Sequence, residues 1–443
     1  MSASQGHPAS PPSRSPRSGF LRSWRTPQHR DGLALVLSSG LTSGFGLLFW
    51  ILAARLYDPA TVGVNSTVLS ALSLLGAAAQ LNLGNALLRF VPVAGGRARR
   101  LVAACYAVAV AAAATAGAVF ALGAAWWAPG LHAWFGGSAL LAFFAVSTPI
   151  WTMFVLQDYV LPALKRAAVV PVENLVFSVL KILFLAGAAA LGTTSGIAVS
   201  WMVATAVIVL IVTIYLARVL PHRRPADPDP RPVTVPDVAS FVRADYAGTV
   251  FLLAAVFGLP LLVLARLGPE AAAVYGVVWQ IAYALYLVVN GMGQSLVAHV
   301  AAEPDKLEAA RRSMISKAMV LLVPAVLGIA VLAYPLLSLF GPLYADEGTL
   351  LLVLLALSAI PNVITWSTVW AARVRRNGRV LFGLPASITT AVIAGSWFLM
   401  PVLCVVGTGV SWLGAQSVAA AGVLLVRARR RLPFPAEPAA QKP

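Results

Sequence analysis

Twelve stretches of about 20 apolar residues run through this 443-residue chain, and they confine it to very few architectures. About 20 apolar residues are what a helix needs to cross a bilayer. The stretches fall at roughly 32–54, 62–88, 101–127, 138–160, 169–191 and 196–217, then 246–265, 273–297, 318–340, 349–372, 380–404 and 410–426. They are too long and too uniformly apolar for barrel strands, which alternate with period two. Only 11% of residues are charged, against about 25% in a soluble domain. The predicted fold class is therefore an all-α integral membrane protein of about 12 transmembrane helices.

The second half repeats the first. Ala54-Arg55-Leu56 recurs as Ala265-Arg266-Leu267, Arg99-Arg100 as Arg311-Arg312, Pro149 as Pro361, and Lys165-Arg166 as Arg375-Arg376. Four matches in order at nearly constant offset predict two homologous six-helix bundles, residues 32–217 and 246–426. A Ser-, Pro- and Arg-rich tail (1–31) precedes them and is expected to be disordered. The Pro-rich segment 218–245 reads as a stiff cytoplasmic linker, and 427–443 as a cytoplasmic tail. Two-fold membrane proteins of this kind are mostly transporters with a site between the halves.

Lys and Arg set the orientation. With the N-terminus in the cytoplasm, 29 of the 32 basic residues fall in inside loops and tails, leaving Arg55, Lys181 and Arg266. Both termini are therefore expected inside. The net charge of +17 is spread over these short segments, with no single basic groove, so nucleic acid is not an expected partner. The bilayer is.

Several chemistries are excluded. The first apolar run is a full span without a cleavage motif, so it is not read as a signal peptide. Cys105 and Cys404 make no disulfide framework, and the five histidines show no metal-ligand spacing. No Gly-Lys dipeptide occurs, so there is no Walker A loop. No large outer loop or catalytic carboxylate cluster appears, which argues against an enzyme such as a glycan transferase or polymerase. No cofactor or metal is expected.

The candidate functional residues are the membrane charges. Arg55 and Arg266 end the first helix of each half and precede acidic turns, Tyr57-Asp58-Pro59 and Gly268-Pro269-Glu270. They either snorkel or pair with the neighbouring acid, or hold an anionic substrate, for which guanidinium is suited by its bidentate geometry. Lys181 lies ~15 Å into its helix, where a charge should face a cavity or pair with Asp158 or Glu173. Asp158 is alternatively a coupling-ion carboxylate. Arg89 closes the second helix, as a positive-inside anchor or a substrate contact. Asn82 and Asn85, with Asn290 and Gln294 in the repeat, line a polar path or glue helices together. Gly63 and Gly276 open equivalent helices, and Pro149, Pro324, Pro361, Pro385 and Pro401 are expected to interrupt helices at membrane depth.

The order Ala54-Arg55-Leu56-Tyr57-Asp58-Pro59-Ala60-Thr61-Val62-Gly63, then a long helix closing in Leu87-Leu88-Arg89-Phe90-Val91-Pro92, resembles the opening of the polysaccharide-export flippases. These belong to the multidrug/oligosaccharidyl-lipid/polysaccharide exporter (MOP) superfamily. The stretch Asp158–Lys181, with Pro171, Glu173 and Asn174, resembles that family's fourth-to-fifth helix region. The resemblance implies paired six-helix bundles opening alternately to each face of a bacterial plasma membrane. It implies a polyprenyl-diphosphate-linked oligosaccharide as substrate, polysaccharide-assembly enzymes as partners, and a cationic cavity, which Arg55, Arg266, Arg89 and Lys181 fit. An ion-coupled drug or metabolite antiporter of the same superfamily is the alternative, and would need cavity acids.

Overall fold

The structure is a computed structural model that describes residues 44–220, 235–300, 306–375 and 377–431. The tail 1–31, the start of the first predicted span, residues 221–234 of the expected linker and the end of the C-terminal tail lie outside the described residues. All regular structure among the described residues is helical. The first half contains α1 (Gly44–Leu56), α2 (Pro59–Ala79), α3 (Ala98–Leu122), α4 (Gly137–Ala163), α5 (Val169–Ala190) and α6 (Gly196–Val219). The second contains α7 (Val235–Leu267), α8 (Pro269–Val300), α9 (Leu307–Ser338), α10 (Pro342–Val374), α11 (Gly378–Leu403) and α12 (Val406–Arg431).

Ten of these helices are long and apolar enough to cross a membrane. The first helix of each half contributes a shorter apolar stretch among the described residues, Gly44–Leu56 and Leu253–Leu267. The protein is thus a multi-pass membrane protein. The expected linker 218–245 is helical at both described ends, closing α6 and opening α7.

Local chemistry explains several helix ends. Asp58 caps α2, its carboxylate accepting from Thr61 N at 2.9 Å and Thr61 Oγ1 at 2.6 Å, with Pro59 in the first turn. Burial raises the Asp58 carboxyl, but the Thr61 hydrogen bonds outweigh it and hold the group below its ordinary value. The expectation that prolines interrupt the helices is corrected. Pro149, Pro324, Pro361, Pro385 and Pro401 all lie inside continuous helices. A proline removes one backbone hydrogen bond, and neighbouring helices support the turn that loses it. The break comes instead after α2, where Leu81 and Asn82 take left-handed conformations (φ 51° and 58°). The chain resumes as the helix Leu83–Phe90. Left-handed backbone at non-glycine residues costs on the order of 1–3 kcal/mol each, least for Asn.

The halves repeat their packing. The pairs α2–α4, α3–α4, α4–α6 and α5–α6 recur as α8–α10, α9–α10, α10–α12 and α11–α12. Gly84 faces the Tyr159 ring of α4, and Gly293 likewise faces Trp370 of α10. Short turns make successive helices antiparallel. Turns at 57–58, 123–136, 191–195, 268, 339–341 and 404–405 therefore share one end and contain no Lys or Arg. Arg89, Arg97–Arg100, Lys165–Arg166, Lys306, Arg373, Arg375 and Arg379 cluster at the other, basic end.

The core follows this polarity. At the charge-poor end one buried apolar cluster spans both halves, from Phe49 and Leu72 to Tyr275, Leu337 and Leu355. Towards the basic end it separates into two. One runs from Leu83 through Phe154 to Leu216, and the other from Leu285 through Leu322 to Val363. The halves meet where α2 packs on α7 and α8. A Cβ on Gly63 would collide with the Pro269 carbonyl, and one on Gly276 would sit 2.8 Å from Ser66 Oγ. Along α7, the Tyr246 hydroxyl donates to Ala78 O at 2.8 Å.

Gly63→Ala should destabilise the protein by about 1–3 kcal/mol through overpacking. Gly258→Ala on α7, with open space at its Cβ position, should be neutral or stabilising. Thermal unfolding of the two variants in one lipid environment checks this, and equal midpoints would contradict the contact.

Candidate functional site

The buried face of α5 carries Glu173, Phe177, Ser178, Lys181 and Leu185. The i, i+4, i+8 spacing aligns Glu173, Phe177 and Lys181 on one helix face. This apolar helix thus buries two opposite charges about 12 Å apart along its axis.

Lys181 is 4% exposed and lies ~14 Å from the charge-poor end of α5. Its ammonium faces the rings of Trp201 at 4.2 Å, Phe49 at 5.0 Å and Phe177 at 5.0 Å. Three helices thus supply a cation–π cage. Neither Asp158 nor Glu173 forms an ion pair with it among the described residues. Both Glu173 carboxylate oxygens, Asp158 Oδ1 and the Tyr106 hydroxyl are buried without hydrogen-bond partners. Asp158 and Tyr106 are each close enough to interact electrostatically with Glu173. The first half thus holds an unpaired ammonium and an unpaired carboxylate cluster at different depths.

The two repeat arginines sit at the charge-poor end with different partners. Arg55 reaches across to the second half, where Nε donates to Leu339 O at 2.9 Å and Nη2 to Ser338 O at 3.0 Å. These are end carbonyls of α9, which have no partner within their own helix and carry the negative end of its dipole. Asp58 is engaged in capping α2 rather than in pairing with Arg55. Arg266 stacks over Trp397 of α11, 3.3 Å from the ring centroid. Arg89 is exposed at the basic end, with its guanidinium 5.5 Å from the Phe90 ring centroid.

The polar-path residues divide in the same way. Asn85 Nδ2 donates to Asn82 Oδ1 at 2.6 Å, bridging the first turn after the α2 break. Gln294 is exposed on α8. Asn290 lines a cavity inside the second half, between α7, α8, α10, α11 and α12.

Arg311 was legible only as a repeat residue among the inside basics. It is 1% exposed and binds α10 through Ser367 O at 3.1 Å and Thr368 Oγ1 at 2.9 Å. Glu308 lies 3.9 Å from it and also contacts Arg375 and Arg427, tying α9, α10 and α12 together at the basic end. The i, i+3 Glu308–Arg311 spacing was the available signal.

The sequence matches no family model and no curated protein sequence. Among solved structures, an inward-facing multidrug-resistance MATE family transporter of the MOP superfamily aligns with a TM-score of 0.67 and 17% identity, over 88% of this chain and 94% of its own. The lipid II flippase MurJ, in an inward closed conformation, aligns with a TM-score of 0.64 and 10% identity over 89% and 87%. A MOP superfamily transporter from Pyrococcus furiosus aligns with a TM-score of 0.55 and 15% identity over 89% and 94%. The chain has the fold these proteins share, and all three are transporters or flippases rather than enzymes.

Arg55→Ala removes a clasp between the halves. A cysteine placed at buried Ser66, in a background without Cys105 and Cys404, should then react roughly fivefold faster with a thiol reagent added from the charge-poor side. Unchanged labelling would show that the clasp carries no weight in closing that end.

Proposed function

We propose that the protein is a transporter that flips a polyprenyl-diphosphate-linked oligosaccharide from the inner to the outer leaflet of a bacterial plasma membrane. It does so by rocking its two halves. The basic end faces the cytoplasm under the positive-inside rule, and the twelve helices make twelve crossings with both termini inside. The observation that carries the reading is Lys181, a membrane-depth cation that no carboxylate neutralises. A fixed, unpaired cation favours an anionic cargo over a cationic one.

The sugar head cannot cross hydrocarbon, so the protein must offer it a polar route while the polyprenyl tail stays in lipid. Arg89 receives the diphosphate at the basic end, Lys181 attracts it at mid-depth, and Arg55 and Arg266 meet it at the charge-poor end. The Arg55 bonds to α9 hold that end closed in this conformation. Cargo binding that competes for Arg55 would favour the opposite opening. Asp158 and Glu173 take the coupling cation. Asn82, Asn85, Asn290 and Gln294 provide neutral contacts along the way, and polysaccharide-assembly enzymes supply and consume the cargo.

Those same carboxylates favour a second reading, an ion-coupled antiporter of cationic drugs or metabolites. The MATE-like fold accommodates it equally.

Reconstitution in proteoliposomes separates the two. Wild-type protein should translocate a fluorescent polyprenyl-diphosphate glycan. Lys181→Met, which removes the charge and keeps an apolar side chain in the aromatic cage, should fold normally and lose at least ~10-fold in rate. Full activity in Lys181→Met would remove the cation from the mechanism. Ion-driven export of a cationic dye, with no glycan movement, would establish the antiporter.

A further inference from the structure

The two halves share a scaffold but fill its centre differently. Val199-Ser200-Trp201 of α6 recurs as Val410-Ser411-Trp412 of α12, at the offset that relates the other repeats. The buried faces of α5 and α11 correspond at the same offset, Ser178 to Thr389 and Leu185 to Ser396. At the position of Lys181 the second half has Val392, which is fully buried. In the first half the space beside the α6 tryptophan is filled by a lysine. A cavity of about 100 Å³ lies beside Trp412.

Its lining has a particular chemistry. On α8, Tyr275, Trp279 and Tyr283 form a stacked row with centroids 6.0 and 5.7 Å apart. Trp279 and Tyr283 reach the cavity wall, and Trp412 meets Trp279 edge-on at 4.8 Å. The same lining includes Asn290, Asn362 and Gln416, with Thr365 and Thr389. No charged residue lines the space among the described residues.

Asn362 is the telling group. It is 1% exposed, follows Pro361 on α10, and both its amide nitrogen and its amide oxygen are buried without a partner. Its repeat counterpart after Pro149 is the apolar Ile150. Buried amides are ordinarily satisfied, because an unmade hydrogen bond forfeits the hydration given up on burial. A donor and an acceptor side by side, in a lining that also holds aromatic rings, match a ring that stacks through its C–H face and presents hydroxyls at its edge. A metal ion would want carboxylates, and none stands among the described lining residues.

We infer that this cavity of the second half is a binding site for one uncharged, hydroxylated six-membered ring, a pyranose sugar unit. Its volume of about 100 Å³, below the ~150 Å³ of a cavity that admits benzene, leaves room for no more than one ring. The inference rests on the flippase reading for the source of the ring, a sugar of the lipid-linked cargo. It does not need that reading for the binding itself. Charge recognition then belongs to the first half and sugar recognition to the second.

The test is direct binding in lipid nanodiscs free of glycoside detergent, read by tryptophan fluorescence. The probes are glucose and N-acetylglucosamine, with tetramethylammonium and sodium as competitors. Wild-type protein should respond to a pyranose with millimolar affinity. Asn362→Leu should weaken that affinity by at least ~10-fold. Gln416→Leu should do the same and serves if Asn362→Leu fails to fold. It leaves the Thr365 hydroxyl satisfied, because that group also donates to Asn362 O at 3.0 Å. No pyranose response, a response unchanged in both variants, or a response to tetramethylammonium alone would overturn the inference. Glycan translocation by wild-type protein that shows no pyranose binding removes this site and leaves the flippase reading. Pyranose binding without translocation of any lipid-linked glycan does the reverse.

Discussion

The structure depends on the close approach of α2 and α8 at Gly63 and Gly276. Helices in lipid gain little by hiding apolar side chains from one another, since the tails around them are equally apolar. What holds two bundles together is shape, and shape is closest where a side chain is missing. Gly63 lets the first turn of α8 lie directly on α2, and Gly276 receives Ser66 from the other side. The two contacts lie one turn apart along the same α2–α8 seam. They fall at the charge-poor end, where the core is shared. Towards the basic end each half keeps its own core.

Around this junction the repeat is kept in packing and broken in chemistry. The helix pairs, the glycines that receive Tyr159 and Trp370, and the tryptophans Trp201 and Trp412 all recur. The charges do not. The inner face of α5 holds a carboxylate and an ammonium, whereas the equivalent face of α11 holds Thr389, Val392 and Ser396. A charge at membrane depth costs at least ~2.5–3.5 kcal/mol, so an unneeded one would be expensive to carry.

The sequence made the helices legible because burial in lipid demands long apolar runs. It made the repeat legible because glycines, prolines and loop charges keep their spacing. Partners across the junction were hidden. Nothing near Arg55 in sequence announces the α9 carbonyls, which lie about 280 residues away. The nearby Asp58 looked like its partner but is satisfied by capping. Prolines were read as breaks, yet the break fell at Leu81-Asn82, where no proline stands. Arg311 was counted among the inside basics, although it is buried against α10. In each case the local pattern named the residue type correctly, and the tertiary contact decided its role.

Unpaired charges in one conformation are an argument about another. Lys181 is held by aromatic faces alone, and Glu173 has no donor for either oxygen. Cation–π contacts recover part of what an ammonium loses on leaving water, but not the whole of it. A ligand that supplies the missing partner in one state and not in the other shifts the balance between states by that difference in affinity. Satisfied ion pairs would lock the first half and leave nothing for a cargo or a coupling ion to change. The unfilled sites lie together on the buried face of α5, so their cost falls on the packing of that helix and not on one side chain.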